Sequence, residues 1–202
     1  GAREFDGDSK RGRASAMTPS GIALDGAGGL LVADAGNHRI RRVDLLTGIT
    51  TTLAGRANGF GGDGGLALGA RLNSPSGIAV SRSGDVFIAD SGNRRIRMIS
   101  GATGVIETVA GSGRASVDGE EGAAVEASLW NPFGLALDAS DNLFVADYLN
   151  HRLCRVNLRK YRVVDSVPRA DPASRATSAW RLQVGLMGIW PGAQGLGRIF
   201  SK

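Results

Sequence analysis

Short apolar runs separated by polar turns recur three times along the chain. In each copy a proline opens an apolar run, a turn rich in Gly, Asp or Asn follows, and a second apolar run ends in aspartate. The prolines are Pro19, Pro75 and Pro132, 56 and 57 residues apart, and the aspartates Asp34, Asp90 and Asp147 keep that spacing. A fixed period of this length predicts a stacked array of equivalent units.

Each unit is predicted to hold four antiparallel strands. In the first copy the candidate strands cover residues 22–24, 30–34, 39–43 and 49–53, with turn residues between them. Runs of this kind are typical of a β-meander, and no 3.6-residue helical period passes through the repeats.

The strands are apolar at consecutive positions, as in residues 30–33 and 86–89, so both faces of each sheet must be covered. Radially arranged four-stranded sheets meet that condition. The pattern therefore predicts an all-β fold, a β-propeller segment of about three four-stranded blades, incomplete or open. We expect Ile22, Phe87 and Val145 to be buried between neighbouring sheets.

The repeated phrase resembles the NHL repeat, a β-propeller blade. It reads P-S/F-G-I/L-A-hydrophobic, then hydrophobic-A-D-x-x-N-H/R-R-I/L, in the copies near 19–55, 75–111 and 132–165. The long connector of residues 54–75 is similar to a common variant of this repeat. The resemblance covers roughly residues 1–165 and implies a propeller fold, on which many unrelated functions are found.

The chain is expected to be part of a longer propeller or a truncated relative of one. Propellers have about four to eight blades, and three are visible here. Residues 5–19 mimic the end of the connector at 60–75, so the chain is expected to start inside a connector. An arc of three blades leaves two faces without a partner, which favours self-association through them or aggregation.

Charge separates the repeats from the tail. Residues 1–151 hold 14 Lys/Arg and 17 Asp/Glu, a net charge of −3, whereas residues 152–202 hold 10 and 2, a net charge of +8. Residues 166–202 are predicted to be a basic Pro/Ser/Arg linker and an apolar tail, poorly ordered from about residue 168. No apolar run reaches 18 residues, so no membrane span is predicted.

One polar set recurs in every copy and is interpreted as a structural lock. A carboxylate at the end of the second strand can accept hydrogen bonds from turn N–H groups and from an arginine fork. The set comprises Asp34, Asn37, Arg39, Asp90, Asn93, Arg95, Asp147, Asn150 and Arg152. A direct contact of these aspartates with a ligand is the less favoured alternative.

No metal, cofactor or catalytic set is predicted. His38 and His151 align with Arg94, which argues against a shared metal site, and the Asp-Gly pairs near 6, 63 and 118 lack the spacing of a calcium loop. Residues 59–65 lack the ending of a phosphate loop. The lone Cys154 is interpreted as an inert thiol beside a strand.

Three functions remain open from the sequence. The first is a non-enzymatic scaffold that binds a protein partner through blade-end loops, with contacts expected from Arg56, Asn58, Phe60, Asp63, Arg114, Asp118, Glu120 and Glu121. The second is a fragment of a propeller lyase or hydrolase, as in some proteins with similar repeats. The third is a single-stranded RNA-binding module, suggested by the arginines at 39–42 and 94–97, although these stretches lack the aromatic residues that stack on bases.

Overall fold

The computed structural model describes residues 7–11, 16–115, 122–158 and 162–167. The chain divides into two compact units, Gly1–Arg169 and Ala170–Lys202, and the described residues all belong to the first. Of the predicted tail, residues 166 and 167 end a β-strand, and residues 168–202 lie outside the described residues.

Three antiparallel sheets follow one another along the chain, one for each repeat. Blade 1 contains β1 (Lys10–Arg11), β2 (Pro19–Leu24), β3 (Gly29–Asp34), β4 (Arg39–Asp44) and β5 (Ile49–Ala54), and the connector holds β6 (Ala57–Asn58) parallel to β7 (Arg71–Leu72). Blade 2 contains β8 (Pro75–Val80), β9 (Val86–Asp90), β10 (Arg95–Ile99) and β11 (Ile106–Ala110). Blade 3 contains β12 (Gly122–Ala123), β13 (Pro132–Leu137), β14 (Asn142–Asp147), β15 (Arg152–Asn157) and β16 (Arg162–Val167).

The four-stranded meander predicted for each repeat is confirmed, with one addition. Blade 2 has the order β8-β9-β10-β11, and blades 1 and 3 have the same order plus a two-residue strand, β1 or β12, on the outer edge. These additions come from the residues that precede each first strand, and they pair with the last strand of the same blade.

The inner strands β2, β8 and β13 bring the blades together. A Cβ on Gly21 would meet the Ser76 carbonyl oxygen, and a Cβ on Gly77 would meet the Phe133 carbonyl oxygen, well inside van der Waals distance. The hydroxyl of Ser20 also donates to the Pro75 carbonyl at 2.9 Å. The glycines of the first two repeats, Gly21 and Gly77, are therefore required by the close approach of the next blade.

Two apolar cores fill the two junctions between blades. Junction 1–2 holds Leu31, Ala33, Ile40, Ile78, Val86, Ile88, Ile99 and Ile106, and junction 2–3 holds Ala79, Phe87, Ala89, Ile96, Val109, Leu143, Val145, Cys154 and Val156. Every residue of β9 is buried because β9 contributes to both junctions, which confirms the interpretation of its continuous apolar run.

The burial expected for Ile22 is wrong, whereas that for Phe87 and Val145 is confirmed. Phe87 and Val145 are 2% and 0% exposed, but Ile22 is 65% exposed. Ile22 points away from blade 2, to the side of blade 1 on which the described residues place no further sheet. Its equivalent in blade 2, Ile78, packs into junction 1–2 and is 6% exposed.

Candidate functional site: the two junctions between blades

A fully buried carboxylate ends the second strand of every blade. Asp34, Asp90 and Asp147 are each 0% exposed. Each accepts a side-chain hydrogen bond from the asparagine three residues later, at 2.9, 2.8 and 2.6 Å in chain order. Each also accepts a backbone N–H from the residues that lead into the first strand, Thr18, Asn73, and both Trp130 and Asn131. The carboxylate thus fastens the turn to the entry of its blade.

In blades 1 and 2 the arginine that meets the carboxylate differs from the one expected. In blade 1 the fork comes from Arg41, 3.7 Å from Asp34, and in blade 2 from Arg97, 3.4 Å from Asp90. The expected Arg39 and Arg95 instead donate to backbone carbonyls, for example those of Arg56 and Ser112. The returning connector offers these carbonyls at the strand end, so the deeper arginine is the one that reaches the acid.

Blade 3 uses the expected arginine because it lacks the deeper one. Cys154 stands where the other blades have Arg41 and Arg97. Arg152 bonds Asp147 at 3.2 Å and also donates to the Ser128 carbonyl. In blade 2, Arg97 makes the equivalent contacts, to Asp90 and to the Arg71 carbonyl. Arg152 in blade 3 therefore takes over two of the partners that Arg97 has in blade 2.

Junction 1–2 contains an ionic network centred on a buried arginine. Arg97 is 0% exposed and bonds Asp63 of the connector at 2.5 Å as well as Asp90. Thr108 donates to the other Asp63 oxygen at 2.8 Å. The ring of Phe60 lies under Arg95, 3.9 Å from its guanidinium, and 5.0 Å from that of Arg97. The connector is thereby fixed onto blade 2 by charge and by cation–π contact.

The start of the described chain repeats this connector geometry on blade 1. Asp8 accepts from Arg41 at 2.9 Å and from Thr52 at 2.8 Å, as Asp63 does from Arg97 and Thr108. The expected similarity between the first residues and the end of the connector is therefore present in the contacts as well as in the sequence.

Burial changes the titration of Asp90. Desolvation raises its pKa to about 6, against the lowering effects of the Asn73 N–H, the Asn93 amide and Arg97. The same network that holds the carboxylate in place thus only partly offsets the cost of burying its charge.

The predicted partner-contact residues fall into three groups. Phe60 and Asp63 are engaged with Arg95 and Arg97 inside the chain. Arg56, Asn58 and Arg114 are exposed. Asp118, Glu120 and Glu121 lie outside the described residues.

Junction 1–2 is closed at its loop end by a histidine. His38 follows a short 3₁₀ turn with left-handed backbone angles, and its Nδ1 accepts the backbone N–H of Ser74 at 3.1 Å. Burial and the charge of Arg39 lower the pKa of His38, which keeps the imidazole neutral and able to accept. Its aligned residue in blade 3, His151, is exposed.

The same end of junction 2–3 is an open groove. A cavity of about 310 Å³ is lined by Ser74, Ser91, Gly92, Arg94, Trp130, Asn131 and Leu149. Arg94 occupies the position of His38 with the same left-handed backbone. Its guanidinium makes no hydrogen bond or ion pair with the described residues. Trp130 and Leu149 stay 44% and 41% exposed, so the groove combines apolar walls with a free positive charge.

Three sequence differences create this groove. Trp130 replaces Asn73, whose amide packs against Gly92. Leu149, preceded by Tyr148, replaces the glycine that follows a small residue in the turns at 35–37 and 91–93. Sequence reasoning missed this site, yet the exchange of a small pair for Tyr-Leu in one copy of an otherwise regular repeat was the signal that could have located it.

Most arginines of the two clusters make contacts within the chain. Arg41 and Arg97 are buried, Arg39 and Arg95 donate to backbone carbonyls, and Arg42 bonds Asp25 at 2.6 Å. Arg94 alone among these six makes no such contact in the described part of the chain. The clusters therefore do not form one cationic surface of the kind that phosphate backbones require.

Metal ligands do not gather in the part of the chain that the structure covers. Within it, no three His, Cys, Asp or Glu side chains lie close enough together to hold an ion. Within the same ranges, no helix has the length and apolar character needed to cross a membrane. Cys154, the one cysteine of the sequence, is buried, with 3% of its surface exposed.

Comparison with known families and proteins agrees with the repeat pattern. The model of the NHL repeat matches residues 17–43, and that of the teneurin NHL domain matches residues 57–118. The Arabidopsis thaliana protein SUPPRESSOR OF QUENCHING 1, chloroplastic, is 32% identical over 150 residues, covering 70% of this chain and 14% of that protein. NHL repeat-containing protein 2 of Bos taurus is 31% identical over 153 residues, covering 70% and 21%.

Among solved structures, the virginiamycin B lyase of Staphylococcus aureus superposes with a TM-score of 0.52 at 13% identity, over 81% of this chain and 45% of that one. At this identity the likeness concerns the fold alone. The chain spans between about a seventh and a fifth of the two curated relatives named above.

Proposed function

Since this chain belongs to the NHL-repeat family of β-propeller proteins, we propose that it acts as a non-enzymatic scaffold that binds a partner protein at blade-end loops. The binding site is the groove at junction 2–3. The observation that supports this choice is the contrast between the two junctions, one closed by His38 and the other open beside Arg94.

The groove suits an extended segment with an acidic side chain next to an apolar one. Arg94 supplies a guanidinium that has no ion-pair partner among the described residues, and a guanidinium binds carboxylates with two parallel hydrogen bonds. Trp130 and Leu149 supply apolar walls, and tryptophan and arginine are enriched among residues that dominate binding energy. Asn131 adds a side chain able to donate to and accept from a peptide backbone.

Fixed surroundings make the groove a preorganised site. Asp147 holds the N–H groups of Trp130 and Asn131 at 3.0 Å, and Ser91 donates to the Pro132 carbonyl at 2.6 Å. The walls therefore belong to rigid elements, which lowers the entropy cost of binding.

A charge exchange tests the proposal. A displayed library of random peptides is selected against the full chain, and the enriched peptides are expected to pair Asp or Glu with Leu or an aromatic residue. Arg94→Glu should replace the acidic preference by a basic one at the same peptide position. Arg82→Glu, an exposed arginine in the turn at the opposite end of blade 2, should leave it unchanged.

Two results would contradict the proposal. One is the absence of any acidic-apolar consensus with the unchanged chain. The other is a consensus that survives Arg94→Glu. A parallel titration with single-stranded RNA at low and high salt tests the alternative, because binding through phosphates falls steeply with salt; RNA binding that Arg94→Glu leaves intact would place the nucleic-acid site elsewhere.

A further inference from the structure

Each junction between blades is made from two different faces. The earlier blade presents its trailing face, which in blade 2 consists of Gly77, Ala79, Phe87, Ala89 and Ile96. The later blade presents its leading face, which in blade 2 consists of Ile78, Val80, Val86, Ile88 and Ile99. Small residues near the inner strand on one side thus meet bulky aliphatic residues on the other.

The trailing face of blade 3 repeats that of blade 2. Gly134, Ala136, Phe144, Ala146 and Leu153 hold the same register positions, since Ala136 pairs with Phe144 and Ala146 with Leu153. In the described structure this face has no blade on it. Leu153 is 47% exposed, whereas the equivalent Ile96 is 0% exposed.

The leading face of blade 1 repeats that of blade 2 in the same way. Ile22, Leu24, Leu30, Val32 and Val43 occupy the positions of Ile78, Val80, Val86, Ile88 and Ile99. Ile22 and Leu24 are each 65% exposed. Val32 on the same face is only 4% exposed, so the exposed part of this face is its inner strand. The exposed inner-strand parts of the two faces are therefore the two halves of one more junction.

Gly134 marks this missing junction most sharply. Gly21 and Gly77 leave no room for a Cβ because the next blade's carbonyl lies there. A Cβ on Gly134 would meet only Ala146 of its own blade, at 3.5 Å. The repeat keeps a glycine at a place where the described chain itself does not require one.

We propose that a second copy of this chain covers both faces. The trailing face of blade 3 in each copy packs on the leading face of blade 1 in the other, and the two joints are related by a two-fold axis. Propellers contain about four to eight blades, so two copies close a ring of six, whereas three copies would give nine. Closure buries Ile22, Leu24 and Leu153, which are exposed in one copy.

One residue distinguishes this joint from the internal junctions. Ser20 and Ser76 donate to carbonyls of the next blade, Pro75 and Phe133 respectively. Phe133 holds the same position in blade 3 and is 51% exposed. The joint between copies therefore exchanges a hydrogen bond for apolar contact.

The mass of the full 202-residue chain in solution tests the proposal. Light scattering after gel filtration should give twice the chain's 20.9 kDa at micromolar concentration. Gly134→Ala should raise the dimer dissociation constant by at least about tenfold, because its Cβ would meet the partner copy's backbone. Gly69→Ala, which meets no atom within 4 Å, is the matched control and should remain dimeric.

A second pair separates surface hydrophobicity from the joint. Ile22→Asp should dissociate the dimer, whereas Leu46→Asp, in an exposed turn of blade 1, should not. Circular dichroism and cooperative unfolding show that each variant is folded. A monomeric unchanged chain would overturn the proposal, as would open-ended assemblies beyond two copies or a folded Gly134→Ala variant that stays dimeric.

Discussion

The two junctions between blades share a backbone plan but differ in what fills them. Junction 1–2 holds Arg97 between Asp63 and Asp90, and its loop end is closed by His38 on the Ser74 N–H. Junction 2–3 has Cys154 in an apolar core, and its loop end is an open groove beside Arg94 and Trp130. At equivalent positions, Arg97 of junction 1–2 is replaced by Cys154 in junction 2–3, and Asn73 is replaced by Trp130.

This difference separates residues that hold the blades from residues that are free to recognise a partner. The parts common to both junctions are the glycine contacts of the inner strands and the buried carboxylate with its asparagine. The parts that differ lie at the connector and the turn, where side chains can vary while the frame stays fixed. Substitutions in each of these parts test whether the residues that hold the blades are separate from those that recognise a partner.

The largest effect is expected from Arg97→Met. Removal of the guanidinium leaves Asp90 buried with an uncompensated charge, which costs about 3–5 kcal/mol of unfolding free energy. The change of Cys154 to Ala at the equivalent place should cost only about 1 kcal/mol. Urea denaturation measures both.

The double variant Asp90→Asn/Arg97→Met is the control for charge. It should recover a large part of the loss, because no unpaired ion remains buried. Equal losses for Arg97→Met and Cys154→Ala would show that the ionic network does not distinguish the junctions.

Alanine at the inner-strand glycines should affect the two junctions alike. Gly21→Ala and Gly77→Ala each force a Cβ into the carbonyl of the next blade, which costs about 2–3 kcal/mol by overpacking. Thermal unfolding of both variants provides the comparison. A loss confined to one of them would mean that the inner-strand contact is not common to both junctions.

The pH dependence of the free energy of unfolding reports on Asp90. Its pKa is about 6 in the folded chain and about 3.9 when unfolded, so the folded state binds the proton more tightly. Its protonation therefore stabilises the fold fully below the unfolded pKa, and this contribution is lost as the pH rises through 6. From pH 7 to pH 5 the unchanged chain should gain about 1 kcal/mol relative to Asp90→Asn, measured by urea denaturation at each pH; an unchanged or reversed difference would contradict the raised pKa.

The smallest effect concerns the closure of junction 1–2. His38→Ala removes the acceptor of the Ser74 N–H and should cost about 0.5–1 kcal/mol, whereas Arg94→Ala should change stability by less than about 0.5 kcal/mol. Hydrogen exchange at the Ser74 amide is the more sensitive readout and should quicken only in His38→Ala. Equal exchange in both variants would argue against closure by the histidine.

The repeat made the blades predictable, because equal spacing, turn residues and apolar runs all indicate the same meander. The residue types of the structural lock were predictable from the sequence. Which arginine bonds each aspartate was less predictable. Arg39 and Arg41 lie two positions apart on the same strand, and only the path of the connector decides which reaches Asp34. Ile22 was misjudged because a repeat pattern assigns every copy two neighbours, whereas blade 1 has one in the described chain.

The groove was not predicted because it depends on a difference between copies. Tyr148 and Leu149 depart from the repeat, but a single departure does not show whether a side chain lies in a core or beside an open space. Trp130 likewise precedes the inner strand of blade 3, and its exposure follows from how blades 2 and 3 meet.

Conversion of one junction into the other tests the account most directly. The variant Arg94→His/Trp130→Asn/Asn131→Ser/Leu149→Gly gives junction 2–3 the residues found at the loop end of junction 1–2 and the turn glycine that Asn73 packs against. Calorimetric titration with an acidic-apolar peptide selected on the unchanged chain should show affinity reduced by at least about tenfold, with the unfolding midpoint unchanged and slower amide exchange at residue 131. Retention of the original affinity in this folded variant would contradict the assignment of recognition to the groove.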